Sequence, residues 1–216
     1  MATTPKLEPG VFAQSPSIPI AVQDSDDGKT YMFYLPTALL KDCSSHITGK
    51  LTDFREESGD PAFSVATTRK TFEDFCNWLY NGAIDDALDI KRIHLLWKHA
   101  VLWRVASLRQ DLVQWVRENI NHNIDMMYLL QNLVRSKVNV REELPKYLLE
   151  KIAYEAARHG WGGASGTLAE NWGSFMSMRG APAEYKKEYL LKFVSKLEAA
   201  EDRYDDDALE DPALIT

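Results

Sequence analysis

The chain has 216 residues, 45% of them hydrophobic and 26% charged, which is the composition of an ordinary soluble globular protein. A chain of this length can bury a core without disulfide bonds or a structural metal, and the two cysteines, Cys43 and Cys76, fit a reducing, intracellular location in the cytoplasm or nucleus. No apolar run is long enough to span a bilayer, and the first ten residues lack the basic and apolar blocks of a signal peptide, so we expect neither a membrane protein nor a secreted one.

The net charge of -7 is concentrated near the C-terminus. Residues 198–211 hold eight acidic residues and one basic residue, Arg203, so the rest of the chain carries 24 residues of each sign. No cluster of Lys and Arg alternates with aromatic residues, which argues against a nucleic-acid partner. The like charges predict a disordered acidic tail over residues 198–216.

The N-terminal half is predicted to contain strands before helices. Residues 1–17 are rich in proline and predict a flexible arm. Aromatic and β-branched segments bounded by turn residues then predict a hairpin and a third strand, at residues 20–23, 29–35 and 62–66. Residues 36–51 are too polar at their centre for a strand and predict two short helices with a break at residues 42–45.

From Thr68 onwards the apolar residues recur with the period of a helix. The first such helix is predicted to begin after an N-cap at Thr68, to end at Gly82 and to place one apolar face inward, formed by Phe72, Phe75, Cys76, Leu79 and Tyr80. Further helices are predicted around residues 93–101, 108–120, 124–137, 144–159 and 182–197. Residues 160–180 are rich in glycine and predict a loop.

Two histidines on one predicted helix do not make a metal site. His94 and His99 lie about 140° apart around the helix, and neither cysteine has a partner at zinc-binding spacing. Cys76 lies on an apolar face, which favours core packing. We therefore predict no catalytic, cofactor-binding or metal-binding residues. One alternative stays open: a small enzyme whose site lies under the loop of residues 160–180, with His159 and Glu170 as acid and base.

The chain contains six tryptophans, and four of them fall within residues 68–120, the region of the first three predicted helices. Trp97 and Trp115 lie on apolar faces, which predicts that they belong to the core. Trp78 and Trp103 lie off the main apolar stripes. They are candidates for contact with the C-terminal helices or with a binding partner.

Several segments, in order, resemble the BTB/POZ family. The helix ending in Trp78-Leu79-Tyr80-Asn81-Gly82 is similar to the end of the family's core motif, which has a Leu-Tyr-Thr-Gly-like sequence. Residues 38–45 resemble its "Leu-Leu-x-x-x-Ser" segment, and the same order holds for other segments: 31–35 (strand), 72–75 ("Phe-x-x-Phe/Leu"), 95–103 and 108–120 (later helices). The resemblance covers residues 18–122. Residues 123–197 are similar to the helical extensions of fungal BTB-like proteins.

This resemblance implies an α+β fold in which helices cap a short three-stranded sheet, followed by an all-α extension. It also implies a non-catalytic module for protein-protein interaction that forms homo- or hetero-oligomers and needs no cofactor. The hairpin and the first small helix would form a homodimer surface, with Ile20, Val22 and Leu39 as candidates. Some members bind a cullin scaffold through an apolar-x-Glu motif, which makes Phe54 and Glu56 candidates for a ubiquitin-ligase adaptor.

The chain departs from the family after the second strand, where Pro36-Thr37 stands in place of the usual His-Lys. The acidic residue that usually precedes it is matched only loosely, by Asp24, Asp26 or Asp27. These departures keep another alternative open, in which the domain is a monomeric BTB-like structural protein.

Overall fold

The computed structural model describes residues 15–52, 61–85, 87–120, 122–159, 173, 175, 177 and 181–204. Within these ranges the chain forms three strands and eight helices. The predicted α+β class with a three-stranded sheet is therefore confirmed. Residue contacts divide the chain into two compact units, residues 1–111 and residues 112–216. None of the helices in the described ranges is long and apolar enough to cross a bilayer.

The sheet belongs to the first unit. Its strands are β1 (Ser17–Asp24), β2 (Thr30–Pro36) and β3 (Phe63–Thr67), in the spatial order β2-β1-β3. β1 pairs antiparallel with β2 and parallel with β3. The three predicted strands are confirmed, although β1 begins at Ser17, inside the segment predicted as a flexible arm.

The residues just before β1 are held by hydrogen bonds to the start of the first helix. The backbone amide and the hydroxyl of Thr37 both donate to the carbonyl of Pro16, at 2.9 Å and 2.8 Å. The Ala38 amide donates to the Ser15 hydroxyl at 3.0 Å. This anchoring explains why β1 begins before the first predicted strand residue.

Two short helices follow the hairpin, α1 (Thr37–Cys43) and α2 (Ser45–Thr52). Ser44 separates them in an extended backbone conformation, which confirms the predicted break. Its buried hydroxyl accepts a hydrogen bond from the His46 amide at 3.1 Å and donates one to the carbonyl of Trp103. A hydrogen bond thereby connects the break between the small helices to Trp103, 59 residues later in the chain.

The next helix, α3 (Arg69–Asn81), has the predicted ends. The Thr68 hydroxyl accepts from the Thr71 amide at 3.1 Å, so Thr68 is the N-cap. Gly82 has a φ of 66°, a left-handed conformation that glycine adopts without strain, and its amide donates to the Trp78 carbonyl at 2.8 Å. The predicted apolar face is only partly correct, because Tyr80 is exposed while Trp78 is buried.

Two further helices follow, of which the first lies within the first unit and the second extends beyond it. They are α4 (Ile90–Leu102) and α5 (Ala106–Asn119). The boundary between the two compact units follows Asp111 and so lies inside α5, whereas the sequence predicted a domain boundary after residue 122. Trp97 and Trp115 are buried, which confirms that they belong to cores.

The second unit is helical in its described part. The end of α5 is followed by α6 (Asn123–Arg135), α7 (Glu143–His159) and α8 (Ala183–Tyr204), near the predicted positions. α8 ends at Tyr204, so the disordered tail predicted from residue 198 is corrected over residues 198–204, which are helical. α8 packs against α7 through a stripe with four-residue spacing in which Tyr189 and Phe193 are fully buried. The Tyr189 hydroxyl donates to the Val138 carbonyl at 3.0 Å, and burial raises the pKa of this phenol.

Candidate interaction surface

The β1–β2 hairpin is closed by a tight turn rich in aspartate and glycine. The Asp24 amide donates to the Lys29 carbonyl at 2.8 Å, and the Gly28 amide donates to the Asp24 carbonyl at 2.9 Å. Gly28 has a φ of 70°, which favours glycine at this position. The Tyr31 hydroxyl donates to Asp27 at 2.6 Å, and this hydrogen bond lowers the pKa of the carboxyl. The turn thus sets the register of the hairpin.

One face of the hairpin packs into the core of the first unit. Ile18, Ile20 and Val22 of β1 are buried, and their partners on β2 are Leu35, Phe33 and Tyr31. The Phe33 ring meets the Phe72 ring of α3 edge to face, with 4.7 Å between centroids. This inner face therefore joins the sheet to α3.

The opposite face of β2 is exposed and apolar. Met32 is 45% exposed and Tyr34 is 65% exposed, and both side chains lie on the face opposite Phe33 because strand residues alternate. Their partners on β1 are Ala21 and Pro19, which are uncharged but less exposed, since Ala21 is buried and Pro19 is half-buried. We call the four residues Met32, Tyr34, Ala21 and Pro19 the outer hairpin face. An uncharged apolar patch at the edge of a sheet is typical of a surface that binds another protein.

The dimer-surface candidates are not on this surface. Ile20 and Val22 are completely buried against the core, and Leu39 of α1 is buried as well. The expectation that these three side chains line a homodimer surface is thus corrected for this conformation, because strand alternation turns Ile20 and Val22 inward and α1 buries Leu39 among the core residues. The large exposed apolar side chains of the hairpin are instead Met32 and Tyr34.

The two tryptophan candidates are buried within the first unit. The Trp78 indole stacks on Phe75 and donates a hydrogen bond to the Asp111 carboxylate on α5 at 2.8 Å. Trp103 packs edge to face on Phe75, with 4.7 Å between ring centroids, and lies 4.9 Å from the His99 ring. Both indoles lie off the predicted apolar stripes, yet both are buried, because each packs on the Phe75 ring of α3. They form part of an aromatic core and offer no exposed anchor to a partner.

The remaining candidates lie outside the described residues. Phe54 and Glu56 fall in the segment between α2 and β3, at residues 53–60. The same holds for Glu170 and for the side chain of His159, which the enzyme alternative requires. Most of the predicted loop of residues 160–180 and residues 205–216 of the predicted tail are also outside the described ranges.

Burial shifts the pKa values of two thiols and one histidine of the first unit toward their neutral forms. Burial raises the pKa of the Cys43 thiol to about 12 and that of the Cys76 thiol to about 12, so both are poor nucleophiles near neutral pH. Burial, with smaller contributions from Lys98 and His94, lowers the pKa of His99 to about 4. Within the described ranges, no group of three or more His, Cys, Asp or Glu side chains is arranged to hold a metal ion.

Sequence reasoning missed Met32 and Tyr34 as surface residues. The segment Thr30–Pro36 has alternating side-chain directions, so the inward positions Tyr31, Phe33 and Leu35 already imply that Met32 and Tyr34 point outward. Aromatic content alone did not distinguish the two faces. The period of the strand was the signal that could have identified them.

Comparison with known proteins does not assign the chain to a family. The sequence matches no protein-family model. No curated protein matches it either. The resemblance to the BTB/POZ family therefore depends on the residues and on the order of the elements, and the function has to be argued from the geometry.

Proposed function

We propose that this chain is a non-catalytic protein-interaction module of BTB type, which forms homo- or hetero-oligomers through its hairpin. The observation that carries the proposal is the outer hairpin face. Met32 and Tyr34 are large apolar side chains that the first unit leaves exposed beside an uncharged strand partner. Binding of a second protein would remove this area from water.

The order of elements supports the BTB assignment. A hairpin, two small helices, a third strand parallel to the first and a long capped helix follow one another in the N-terminal unit. This is the order in which the sequence segments resemble the family. The departure at Pro36-Thr37 has a local explanation, because both polar groups of Thr37 are used by the Pro16 carbonyl.

The state of the buried groups also favours binding over catalysis. The two thiols have pKa values raised to about 12, and the His99 pKa is lowered to about 4. A nucleophile or general base that works near neutral pH needs a pKa closer to that pH. These three residues are better explained as parts of a packed core.

A cullin scaffold is the second partner in this proposal. The motif Phe54-Arg55-Glu56 lies in the sequence between α2 (Ser45–Thr52) and β3 (Phe63–Thr67), which is the position the resemblance implies. An apolar anchor next to an acidic residue can combine burial with a charged contact. In this reading the chain is an adaptor that links the cullin scaffold of a ubiquitin ligase to another protein.

The proposal is tested by measuring mass in solution and cullin binding together. Multi-angle light scattering over a concentration series gives the oligomeric state, and titration with a cullin N-terminal fragment gives the affinity. The variants are Phe54→Ala/Glu56→Ala for the motif and Met32→Ser/Tyr34→Ser for the outer hairpin face. Leu191→Ser/Val194→Ser is the matched control, because both residues are exposed and apolar but lie on α8.

Each part of the proposal has its own expected result. The hairpin variant loses self-association or binding of a protein partner, the motif variant loses cullin binding, and the control retains both. A wild-type chain that stays monomeric and does not bind the cullin fragment or any protein captured in a pull-down would contradict the interaction function. A chain that oligomerises but ignores the cullin fragment would remove only the adaptor part.

A further inference from the structure

β2 is an edge strand, and its register with β1 reveals which of its backbone groups point away from the sheet. In an antiparallel pair, opposed residues alternate between those that exchange two hydrogen bonds and those that exchange none. Pro19 is opposed to Tyr34 and has no amide hydrogen, so these two residues cannot form a hydrogen-bonded pair. The Pro19 carbonyl instead accepts from the Ala62 amide at 2.7 Å, on the β3 side.

The alternation then assigns the rest of the strand. Tyr31, Phe33 and Leu35 direct their backbone amides and carbonyls toward β1, whereas Met32 and Tyr34 direct theirs outward. No other described strand pairs with this edge. The two residues with exposed apolar side chains are thus among those that present backbone donors and acceptors at the edge, together with Thr30.

This edge is complementary to itself. The strand Thr30–Pro36 has seven residues with Phe33 at its centre, so two antiparallel copies overlap completely when a two-fold axis passes through Phe33. In that register Met32 of one copy is opposed to Tyr34 of the other, on both sides of the axis. Each of these two pairs can exchange two reciprocal hydrogen bonds, and the thioether and the phenol ring meet on the outer face.

The absence of charged residues from the strand favours this pairing as well. None of its residues, TYMFYLP, is charged, so no like charges are opposed across the axis. Sheet edges that avoid pairing usually carry lysine, an inward charge or a proline within the strand. The only proline here is Pro36, at the last position, where it interrupts neither of the Met32–Tyr34 pairs.

We propose that the partner of the outer hairpin face is a second copy of this chain, joined by antiparallel pairing of the two β2 edges about Phe33. This inference rests on the proposed interaction function and specifies its partner and register. The two three-stranded sheets become one continuous sheet of six strands. An edge contact buries less area than a standard interface, so we expect a dimer that dissociates on dilution.

The test uses pairs of charges that report the register. In Met32→Lys/Tyr34→Lys the two new lysines oppose each other across the axis, whereas in Met32→Lys/Tyr34→Glu each new lysine opposes a new glutamate. Both variants lose the same apolar side chains. Sedimentation equilibrium from about 1 to about 200 μM is expected to show tighter dimers for the second variant than for the first, by about tenfold or more at low salt, with the difference shrinking as salt is added.

Two further variants separate the edge from the rest of the surface. Tyr34→Pro removes an outward amide that β1 does not use, so it abolishes the dimer while the circular dichroism spectrum stays that of the folded chain. Ser64→Lys/Ala66→Glu places charges at two exposed positions of β3, the opposite edge strand, and leaves the dimer intact.

Several results would overturn the inference. These are a wild-type chain that is monomeric throughout the range, equal association of the two charge variants, or a dimer that survives Tyr34→Pro. A dimer that persists in every β2 variant shows that the chain associates through another surface, so the register fails while the interaction function stands. A wild-type chain that is monomeric and also binds no partner in the titration would overturn both the β2 register and the interaction function.

Discussion

The two faces of β2 have the same backbone but opposite surroundings. Phe33 faces inward and meets the Phe72 ring, while Met32 and Tyr34 on either side of it face solvent. All three are large and apolar, so their side-chain type does not explain the difference. The difference comes from the layers around the sheet, because α3 covers one face and no described helix buries the Tyr34 side chain on the other. Stability is therefore expected to depend on the inner face and association on the outer one.

The largest expected effect comes from removing the ring on which the inner face packs. Phe72 is 1% exposed and contacts the rings of Phe33, Phe75 and Trp103. Phe72→Ala leaves a cavity at the point where these rings meet, so the free energy of unfolding is expected to fall by about 3–5 kcal/mol. Urea unfolding followed by tryptophan fluorescence measures the change. A loss below about 1 kcal/mol would mean that the inner face is not the core of the first unit.

A smaller loss of stability is expected when the buried ion pair between α3 and α4 is removed. The Asp74 carboxylate on α3 accepts two hydrogen bonds from the Arg92 guanidinium on α4, and its side chain is 4% exposed. Asp74→Asn keeps the shape but removes the charge, and we expect a loss of about 2 kcal/mol. The matched control is Glu73→Gln, whose ion pair with Arg69 is exposed and should contribute about 0.5 kcal/mol or less. Equal losses in the two variants would contradict the assignment of the buried pair to α3–α4 packing.

Lowering the pH should reduce the free energy of unfolding through His99. Its pKa is lowered by burial to about 4 from 6.5, so the unfolded chain binds a proton that the folded chain rejects. The favourable contribution is complete above pH 6.5 and decreases as the pH falls toward 4. By pH 5 the free energy of unfolding should have dropped by about 2 kcal/mol from this group. Parallel urea titrations of wild type and His99→Gln at pH 7 and pH 5 test it, since the variant should lose less stability; identical losses would rule out His99.

The smallest effect is expected on the outer face. Tyr34 is 65% exposed, so Tyr34→Ala should change the free energy of unfolding by about 0.5 kcal/mol or less when the protein is dilute enough to be monomeric. Urea unfolding at low micromolar concentration measures this. A loss of stability comparable to that of Phe72→Ala would show that both faces of the hairpin belong to the core, so the two faces would not differ in their role.

Most of the elements could be predicted from local patterns. Thr68 and Gly82 mark the ends of α3 because the chemistry of a helix terminus depends on the few residues next to it. The three strands and the break at Ser44 were predicted in the same way, from turn residues and short apolar segments. The four-residue step of Tyr189 and Phe193 is a local pattern of the same kind, and both residues are on the buried side of α8.

The candidate surface was harder to predict, because exposure depends on neighbours from distant parts of the chain. Trp78 lies off the predicted stripe of α3, yet it is buried because Asp111 and Phe75 provide a hydrogen bond and a stacking ring. Ile20, Val22 and Leu39 were expected at a dimer surface, yet the first unit buries them itself. Patterns within a single helix or strand contain no information about which second layer covers it.

The sequence by itself determined the α+β class, the order of strands and helices and the ends of α3, since these follow from periodicity, turn residues and capping. Only the tertiary structure decided that β1 lies between β2 and β3, and that Met32 and Tyr34 remain exposed at the sheet edge. Strand order and exposure are set by contacts between residues far apart in the chain, such as Ile20 with Phe63 and Phe33 with Phe72. Those contacts exist only once the layers have packed together.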